Sequence, residues 1–363
     1  MLIVCPTIDY EIFLGKNLLS ADEILFEPTK KILKIWKDFN IKGTFFPDVC
    51  SVWQHNKYGI NNYVDTFESQ MKQAALEGHD IQLHIHPEWV SSEFSNGVWH
   101  FKENTSSLND LGFNKKYEDS APFIVSRAKQ YLEDIISPIN KDYKCFIFRA
   151  GGWLIQPSNK IIELLLENNI NVDSSIISGF LSPRSDYTID FRSLPNKTSW
   201  FVNPKDIIED SNNYEFLEIT IGSYQGKYRI SKHIVNQLRL KYRAKKLPEK
   251  KRGYPLTKSN VINNNYITRI IKKYKKLSNP RVLDISDTCE SMISITQSYL
   301  KKYDCVMQDQ VITMNGHSKD LYNYHIIELE KYFDIIKNKY SQKVKFLSLS
   351  DYIKMTFPHL IKQ

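Results

Sequence analysis

The sequence predicts an α/β fold with a parallel β-sheet, which is either open or closed into a barrel. Short apolar runs alternate with longer segments of helical periodicity along 363 residues. No apolar stretch reaches the roughly 18 residues of a membrane-spanning helix. A composition of 42% hydrophobic and 25% charged residues is typical of a globular protein, long enough for one large domain or two ordinary ones.

The first third of the chain predicts strands that alternate with helices. Residues 2–8 form an apolar run that is typical of a buried parallel strand. Segments of helical periodicity then precede two further strand-like runs, at residues 44–46 and 81–85. The second of these helices ends near Glu77, because Gly78 stands where a left-handed cap is expected.

The rest of the chain repeats this alternation. The predicted elements are a helix at 122–136, a strand at 145–150, a helix at 157–169 capped by Ser158, a strand at 215–223, a helix at 290–303, a strand at 311–318, a helix at 324–337, and a strand and helix at 344–355 with Ser350 as cap.

Four polar clusters directly follow apolar runs, and ligands of parallel α/β folds bind at the carboxyl ends of strands. In TIDYE, Asp9 and Glu11 are two residues apart, so that their carboxylates point to the same side of a strand. In LHIHPEW, His84 and His86 have the same spacing. Two imidazoles and a carboxylate are a common ligand set of catalytic zinc and iron sites. The sequence therefore predicts a metal site at the strand ends.

The other two clusters supply a permanent positive charge and a titratable group. In FRAGGW, Arg149 leaves a strand and needs a carboxylate partner, for which Asp9 or Glu11 would serve. The small residues 150–152 allow backbone N–H groups to approach a ligand. In MNGHSKDL, His317 is a candidate general acid, because the ordinary pKa of histidine lies near neutrality.

Taken in order, these clusters resemble the motifs of the polysaccharide deacetylases, the NodB-homology group of carbohydrate esterase family 4. TIDYE resembles the first motif (usually TFDD), GHDIQLHIHPEW the second, FRAGGW the third, NVDSSI the fourth and NGHSKDL the last. The similarity extends from about residue 1 to residue 355 with one gap. The HIHPEW and RAGGW forms resemble an atypical, WbmS-like branch found among lipopolysaccharide O-antigen genes.

The resemblance implies a metal-dependent hydrolase on a distorted (β/α) barrel. Such an enzyme would remove an N-acetyl or N-formyl group from an amino sugar in the biosynthesis of surface polysaccharide or lipopolysaccharide O-antigen. The divalent metal is expected to be zinc. The residues carried over are the general base Asp9, the residue Arg149 that holds it, the general acid His317, and the metal ligands Glu11, His84 and His86.

Five further residues receive expected roles. The resemblance implies the first two roles below, the altered histidine spacing suggests that of Glu88, and aromatic chemistry beside the motifs suggests the sugar contacts. A backbone N–H near Gly152 or Trp153 would stabilise the oxyanion, and Asp173 would orient the acid histidine. Glu88 would be an extra metal ligand or a substrate contact. The rings of Trp89 and Trp153 would stack on a sugar.

Three positions depart from the family pattern. Tyr10 occupies the place of a metal-binding aspartate, so either Glu11 replaces that ligand or Asp9 and Glu11 exchange roles. The two histidines are two residues apart rather than four. Gly152 stands where a tyrosine is common, at the rim of the site.

The net charge of +8 is concentrated in residues 232–281, which contain 16 Lys and Arg residues and one acidic residue, Glu249. We therefore expect a single catalytic domain of residues 1–231 and 282–363, with residues 232–281 as a basic, partly helical insertion. Such a segment is typical of contact with phosphates, an anionic membrane surface or nucleic acid, and the simplest alternative is a solvated loop.

The expected compartment is the cytoplasm, because the N-terminus has neither the basic start nor the long apolar core of a signal peptide. The expected substrate is accordingly a nucleotide-linked or lipid-linked amino sugar. Three other functions stay open: an amidohydrolase acting on a non-sugar amide, a non-catalytic sugar-binding relative, and nucleic-acid binding through the insertion. The last is least favoured, since no recognised reading motif accompanies the basic residues.

Overall fold

The structure is a computed structural model that describes residues 1–183, 188–226, 229–255 and 279–361. Its strands are β1 (Leu2–Tyr10), β2 (Lys16–Asn17), β3 (Thr44–Pro47), β4 (Asp80–Ile81), β5 (Leu83–Ile85), β6 (Glu93–Ser95), β7 (Val98–His100), β8 (Ile147–Ala150), β9 (Val172–Asp173), β10 (Leu181–Pro183), β11 (Thr188–Asp190), β12 (Ser199–Asn203), β13 (Asp206–Asp210), β14 (Leu217–Ile219), β15 (Gly253–Tyr254), β16 (Gln310–Met314) and β17 (Val344–Phe346). Its α-helices are α1 (Glu27–Asp38), α2 (Val49–Lys57), α3 (Asn61–Leu76), α4 (Ala121–Ile136), α5 (Asn159–Glu167), α6 (Arg229–Lys246), α7 (Cys289–Lys302), α8 (Asn323–Lys339) and α9 (Leu349–Thr356).

Two main sheets contain most of these strands. The first sheet has the order β16-β1-β3-β4, with β17 also beside β1, and all its strand pairs are parallel. The second sheet has the order β13-β12-β14-β9-β8-β5, in which the pairs from β14 to β5 are parallel and β12 is antiparallel to both neighbours. The predicted α/β fold with parallel strands is confirmed.

The two sheets meet at residues 80–85, where β4 pairs with β3 of the first sheet and β5 pairs with β8 of the second. Gln82 lies between β4 and β5, and its side-chain oxygen accepts a hydrogen bond from the backbone N–H of Ile147 at 2.9 Å. On the other side of the fold, the N–H of Gly222, which follows β14 of the second sheet, donates to the carbonyl of Thr313 in β16 of the first sheet at 2.8 Å. Over the described residues, the named strands of the two sheets do not pair into one continuous ring. The closed barrel therefore stays a prediction.

Strand β1 shows how the fold separates apolar from polar surroundings. All nine of its residues are buried, and successive side chains point to opposite sides. Leu2 and Val4 belong to the larger apolar core, which includes most of the helices. Ile3 and Cys5 belong to a smaller apolar cluster that includes residues of α9. Asp9 continues the row of Ile3 and Cys5 toward the carboxyl end of the strand, where the interior becomes polar.

The predicted helices and strands are present in the structure, but the strand expected at residues 81–85 is divided at Gln82 into β4 and β5, and two helix caps differ. Ser350 was expected to cap the last helix, but α9 begins at Leu349 and Ser348 is its cap, with its hydroxyl accepting from the N–H of Asp351 at 3.2 Å. Ser158 precedes α5 without forming a capping bond. Its hydroxyl instead accepts from the backbone N–H of Ile207 at 2.9 Å, because β13 lies beside the start of this helix.

The basic segment at residues 232–281 lies only partly within the described residues. It contains most of α6, followed by β15, which pairs antiparallel with β2. Residues 256–278 fall outside the described part of the chain, so the division into one catalytic domain and an insertion stays a prediction. Over the part that the structure describes, no helix is both long and apolar enough to cross a membrane.

Candidate metal centre

Three of the predicted site residues converge on one point at the carboxyl ends of the strands. Glu11 follows β1, His84 lies in β5, and His86 follows β5. His86 Nε2 is 2.5 Å from Glu11 Oε2, and His84 Nε2 is 3.5 Å from the same oxygen. The candidate ligand atoms of the three residues lie within 4.8 Å of one another. All three side chains are buried.

Neighbouring groups orient both histidines toward this point. His84 Nδ1 donates to the backbone carbonyl of Arg149 at 2.8 Å, and His86 Nδ1 lies 3.3 Å from Glu88 Oε2. Metal-binding histidines commonly use the second ring nitrogen in this way, which leaves Nε2 free to coordinate. Glu88 thus contacts the far side of His86, away from the point that Glu11 faces.

The donor set fits a divalent cation. His84 Nε2 is buried and forms no hydrogen bond with the described residues, and Glu11 Oε2 faces the two histidine nitrogens. A buried polar atom without a hydrogen bond is costly unless a further group satisfies it. Two imidazole nitrogens and one carboxylate oxygen are a ligand set that zinc and similar cations use, with positions left for water or substrate.

The period of two in β1 explains which residue of TIDYE serves here. Asp9 and Glu11 point into the site, whereas Tyr10 points to the helix side, where its hydroxyl donates to Gln70 at 2.6 Å. Tyr10 therefore contributes nothing to the metal point. The carboxylate of Glu11, rather than any group of Tyr10, lies beside the two histidines.

Asp9 forms a buried ion pair with Arg149, at 2.7 Å between Asp9 Oδ1 and Arg149 Nη1. Arg149 is completely buried. Burial alone would raise the pKa of Asp9, but the charge of Arg149, together with those of His84 and His317, outweighs burial and holds this pKa below its ordinary value. The second carboxylate oxygen, Oδ2, lies 3.4 Å from His317 Nε2. Asp9 is thus ionised and faces the candidate acid.

His317 and Lys319 complete the site from the loop after β16. His317 Nε2 is 3.4 Å from Glu11 Oε1 as well as from Asp9, and its side chain is 20% exposed, against 3% for both carboxylates. His317 is therefore the member of the group that faces solvent. The Nζ of Lys319 donates to Glu11 Oε1 at 2.6 Å. Glu11 thus uses one oxygen for Lys319 and the other for the two histidines.

The protonation of Glu11 and His86 follows from these contacts. Burial would raise the pKa of Glu11, but His86 and Lys319 hold it well below its ordinary value. Burial would lower the pKa of His86, but Glu11 and Glu88 raise it well above its ordinary value. Without a cation, His86 therefore carries a proton that a cation has to displace.

Sequence reasoning missed three charged residues of this region: Lys319, Asp48 and Asp284. Asp48 follows β3, it is fully buried, and its Oδ1 accepts from the backbone N–H of His86 at 3.3 Å. Burial raises the pKa of Asp48 to about 6. The signal was present in the sequence, because Asp48 directly follows the apolar run TFFP, as the four chosen clusters follow theirs.

Asp173 does not reach His317 in this structure, contrary to expectation. Its carboxylate accepts from the backbone N–H and hydroxyl of Ser175, at 2.8 and 2.9 Å, and stands opposite Glu218 of β14. Burial, followed by the charge of Asp173, raises the pKa of Glu218 well above its ordinary value. Burial raises the pKa of Asp284, and His317 opposes this rise, so Asp284 rather than Asp173 is the further carboxylate that interacts with His317.

The aromatic residues expected at the substrate divide into two kinds. Trp89 is fully buried and packs edge-on against Trp99 and Phe101, with ring centroids 5.1 and 4.9 Å away. The expectation that Trp89 stacks on a sugar is corrected, since no substrate can reach a ring with no exposed surface. Trp153 is partly exposed and lies 5.5 Å from the ring of Phe180, so its sugar contact stays a prediction.

The glycines of FRAGGW have different structural roles. Gly152 has a left-handed backbone, with φ of 57°, and Trp153 follows with φ of 61°. Gly151 leaves room for the ring of His86, since a Cβ there would lie 2.5 Å from the carbonyl oxygen of Ile85 and 2.8 Å from His86 Nδ1. The oxyanion role of the N–H groups near Gly152 and Trp153 stays a prediction.

Comparison with known proteins finds likeness in structure. No family model and no curated protein matches the sequence. The GH57-type branching enzyme from the hyperthermophilic archaeon Pyrococcus horikoshii is 8% identical, with a TM-score of 0.50 over 98% of this chain and 70% of that one. This likeness shows that the two chains share a fold.

Two other similar structures carry names from the family that the motifs resemble. A provisionally named polysaccharide deacetylase from Mycobacterium smegmatis is 12% identical, with a TM-score of 0.46 over 99% of this chain and 92% of that one. A family 4 acetyl xylan esterase from Clostridium thermocellum, in complex with a cobalt ion, is 11% identical, with a TM-score of 0.36 over 97% and 91%. Such low values decide neither the family nor the activity of this chain.

We expect Arg149→Met to destabilise the protein by about 3–5 kcal/mol, because it leaves the buried carboxylate of Asp9 without its partner. Urea unfolding of the purified variants measures this loss. Adding Asp9→Asn to Arg149→Met should restore part of this stability, since the double variant contains neither charge of the ion pair. An Arg149→Met protein as stable as the wild type would contradict the role assigned to the ion pair.

We expect Gly151→Ala to weaken binding of a divalent cation about tenfold, because the new methyl group displaces His86 from its contact with Glu88. Calorimetric titration with zinc measures the affinity. Gly59→Ala is the control: it also adds one methyl group, but no atom lies within 4 Å of the added Cβ. Equal zinc affinities for the two variants would count against the placement of His86 as a ligand.

Proposed function

We propose that this protein is a metal-dependent hydrolase that removes an N-acetyl or N-formyl group from an amino sugar. The observation that carries the proposal is the meeting of Glu11, His84 and His86 on one point, beside an ionised Asp9 and a partly exposed His317. A ligand set, a base and an acid thus lie at one strand end. These are the parts that hydrolysis of an amide requires.

Glu11, His84 and His86 are the residues that would hold the cation. A bound divalent cation supplies polarisation of the acyl oxygen and a lower pKa for water. His84 already presents a nitrogen without a hydrogen bond to it, Glu11 presents the oxygen that both histidines face, and His86 becomes a ligand after losing its proton. Zinc is the proposed metal, because it takes nitrogen and oxygen ligands in sets of this kind.

Asp9 is the proposed general base. It accepts a proton from the attacking water as the water oxygen bonds to the acyl carbon. Arg149 keeps the carboxylate ionised and fixes its orientation through Oδ1, while Oδ2 faces the site. The resulting tetrahedral species carries negative charge on the former acyl oxygen, and backbone N–H groups near Gly152 and Trp153 are the proposed donors to it.

His317 is the proposed general acid. An amine leaves only when it is protonated, so His317 in its charged form donates a proton to the nitrogen as the carbon–nitrogen bond breaks. Its Nε2 lies 3.4 Å from a carboxylate oxygen of Asp9 and 3.4 Å from one of Glu11, so the proposed acid and the proposed base face the same point. The products are a carboxylic acid and a free amino sugar.

A nucleotide-linked or lipid-linked amino sugar is the proposed substrate class, with a place in surface polysaccharide or O-antigen biosynthesis. The partly exposed Trp153 next to the site supports a sugar contact, because aromatic faces pack on sugar rings. Release of acetate or formate from a panel of nucleotide sugars, compared with cyclic and linear non-sugar amides, tests this choice. Turnover of the amides alone would reject the sugar substrate.

His84→Ala and His317→Ala should separate metal binding from proton transfer. The first change removes a ligand, so we expect both the bound metal and the activity to be lost. The second should keep the metal and lower kcat by about 10²–10⁴, the usual contribution of a general acid. Metal content by mass spectrometry and acid release measure the two effects. Full metal content in purified His84→Ala would exclude this histidine as a ligand.

Asp9→Asn should fold and bind metal but retain very little activity, because the amide cannot accept a proton. A loss in kcat of about 10²–10⁴ is expected. Circular dichroism and metal content are the controls for folding and for the site. Turnover at the wild-type rate would remove Asp9 as the base and favour Glu11 in that role.

A further inference from the structure

Helix α6 turns an apolar face to solvent. Ile234, Val235, Leu238 and Tyr242 are 45%, 45%, 61% and 52% exposed. At about 100° per residue these four positions span roughly 100° of the helix circumference, so they form one continuous stripe. A surface helix of a globular protein normally turns such a stripe to the core, and an exposed one marks an interaction site.

Polar contacts hold the opposite face of α6 to the protein. Asn236 is only 2% exposed and its side chain bonds to those of Asp287 and Thr288. Arg243 donates to Glu328 of α8 at 3.0 Å. The helix is thus fixed by its polar side, and this orientation leaves its apolar side free of the core.

Positive charges flank the apolar stripe on both sides. Lys241 and Lys245 lie along one edge, and Lys232, Arg239 and Lys246 lie along the other, all of them exposed. The helix contains no acidic residue. Long lysine and arginine side chains beside an apolar stripe can extend to anionic headgroups while the apolar residues enter the acyl boundary.

We propose that α6 binds the surface of an anionic lipid bilayer, lying in the plane of the interface. The charge pattern favours an anionic bilayer over the other partners that a basic, apolar helix face could bind. A second copy of the chain would bring two basic stripes face to face, and like charges repel across an interface. Nucleic acid would match the charges but leave the four apolar side chains without a partner. Anionic lipid satisfies both the cations and the apolar stripe.

The chain after α6 connects this surface to the candidate metal centre. Arg252 Nη1 donates to the carbonyl of Ser318 at 3.3 Å, directly beside His317, and β15 pairs with β2. A bilayer bound at α6 would therefore lie one short connection from the loop that carries the acid. That consequence for a lipid-linked substrate rests on the proposed function, whereas lipid binding itself does not.

Sedimentation of the full chain with vesicles of phosphatidylglycerol and phosphatidylcholine tests the proposal. We expect binding that rises with the phosphatidylglycerol fraction and weakens in high salt. Leu238→Glu should lower the partition coefficient about tenfold, because it places a carboxylate in the apolar stripe and opposite the anionic lipid. Lys241→Glu with Lys245→Glu should weaken binding to phosphatidylglycerol by at least a comparable amount.

Leu76→Glu is the matched control, since Leu76 is 64% exposed on α3 and belongs to no basic stripe. It should bind vesicles as the wild type does. The proposal would be overturned if wild-type protein did not sediment with phosphatidylglycerol vesicles, or if Leu238→Glu bound them with the wild-type partition coefficient. So would a wild-type dimer that Leu238→Glu converts to a monomer. Acid release from a water-soluble substrate should be the same for Leu238→Glu and wild type, which separates this test from that of the proposed function.

Discussion

The buried ion pair between Arg149 and Asp9 is the interaction on which the candidate site depends. All five N–H groups of Arg149 donate hydrogen bonds. The acceptors lie in three other segments of the two sheets: Thr7 and Asp9 of β1, Ser174 after β9, and Thr313 of β16. A guanidinium presents its donors in a rigid fork, so it fixes the positions of the strands that accept from it. The backbone carbonyl of the same residue accepts from His84. One residue thus sets both the ionisation of the proposed base and the orientation of a proposed ligand.

The charged groups around Glu11 determine how the site would take up a cation. Glu11 is shared between Lys319 and two histidines, and the pKa of His86 lies well above its ordinary value because of the carboxylates on either side of it. A cation that enters has to replace the proton on His86, so its affinity rises with pH while that proton is being lost. The position of Lys319 keeps one oxygen of Glu11 occupied, which leaves the other for coordination.

Much of this arrangement could be predicted because one periodicity and one rule about the position of ligand sites govern it. The period of two in β1 places Asp9 and Glu11 together and Tyr10 away from them, and the rule that ligands bind at carboxyl ends selected Arg149 and His317. The errors have physical causes. Trp89 is next to a motif along the chain, but the direction of its ring depends on packing against Trp99 and Phe101, which the pairing of β6 with β7 brings back to it. The contacts of Asp173, Asp284 and Lys319 likewise depend on which strands become neighbours. Strand order cannot be inferred from the periodicity of one sequence.

The junction between the two sheets has a consequence for the stability of the protein. Asp9, Glu11 and His317 come from the first sheet and its loops, whereas His84, His86 and Arg149 come from the second. At this border Gln82 replaces regular strand pairing with side-chain bonds. A cation held by ligands from both sheets would act as a cross-link between them, and at 1,000 times its dissociation constant it would add about 4 kcal/mol to the free energy of unfolding. Chelation would then loosen the molecule along this border first, so the catalytic cofactor would also be part of the scaffold.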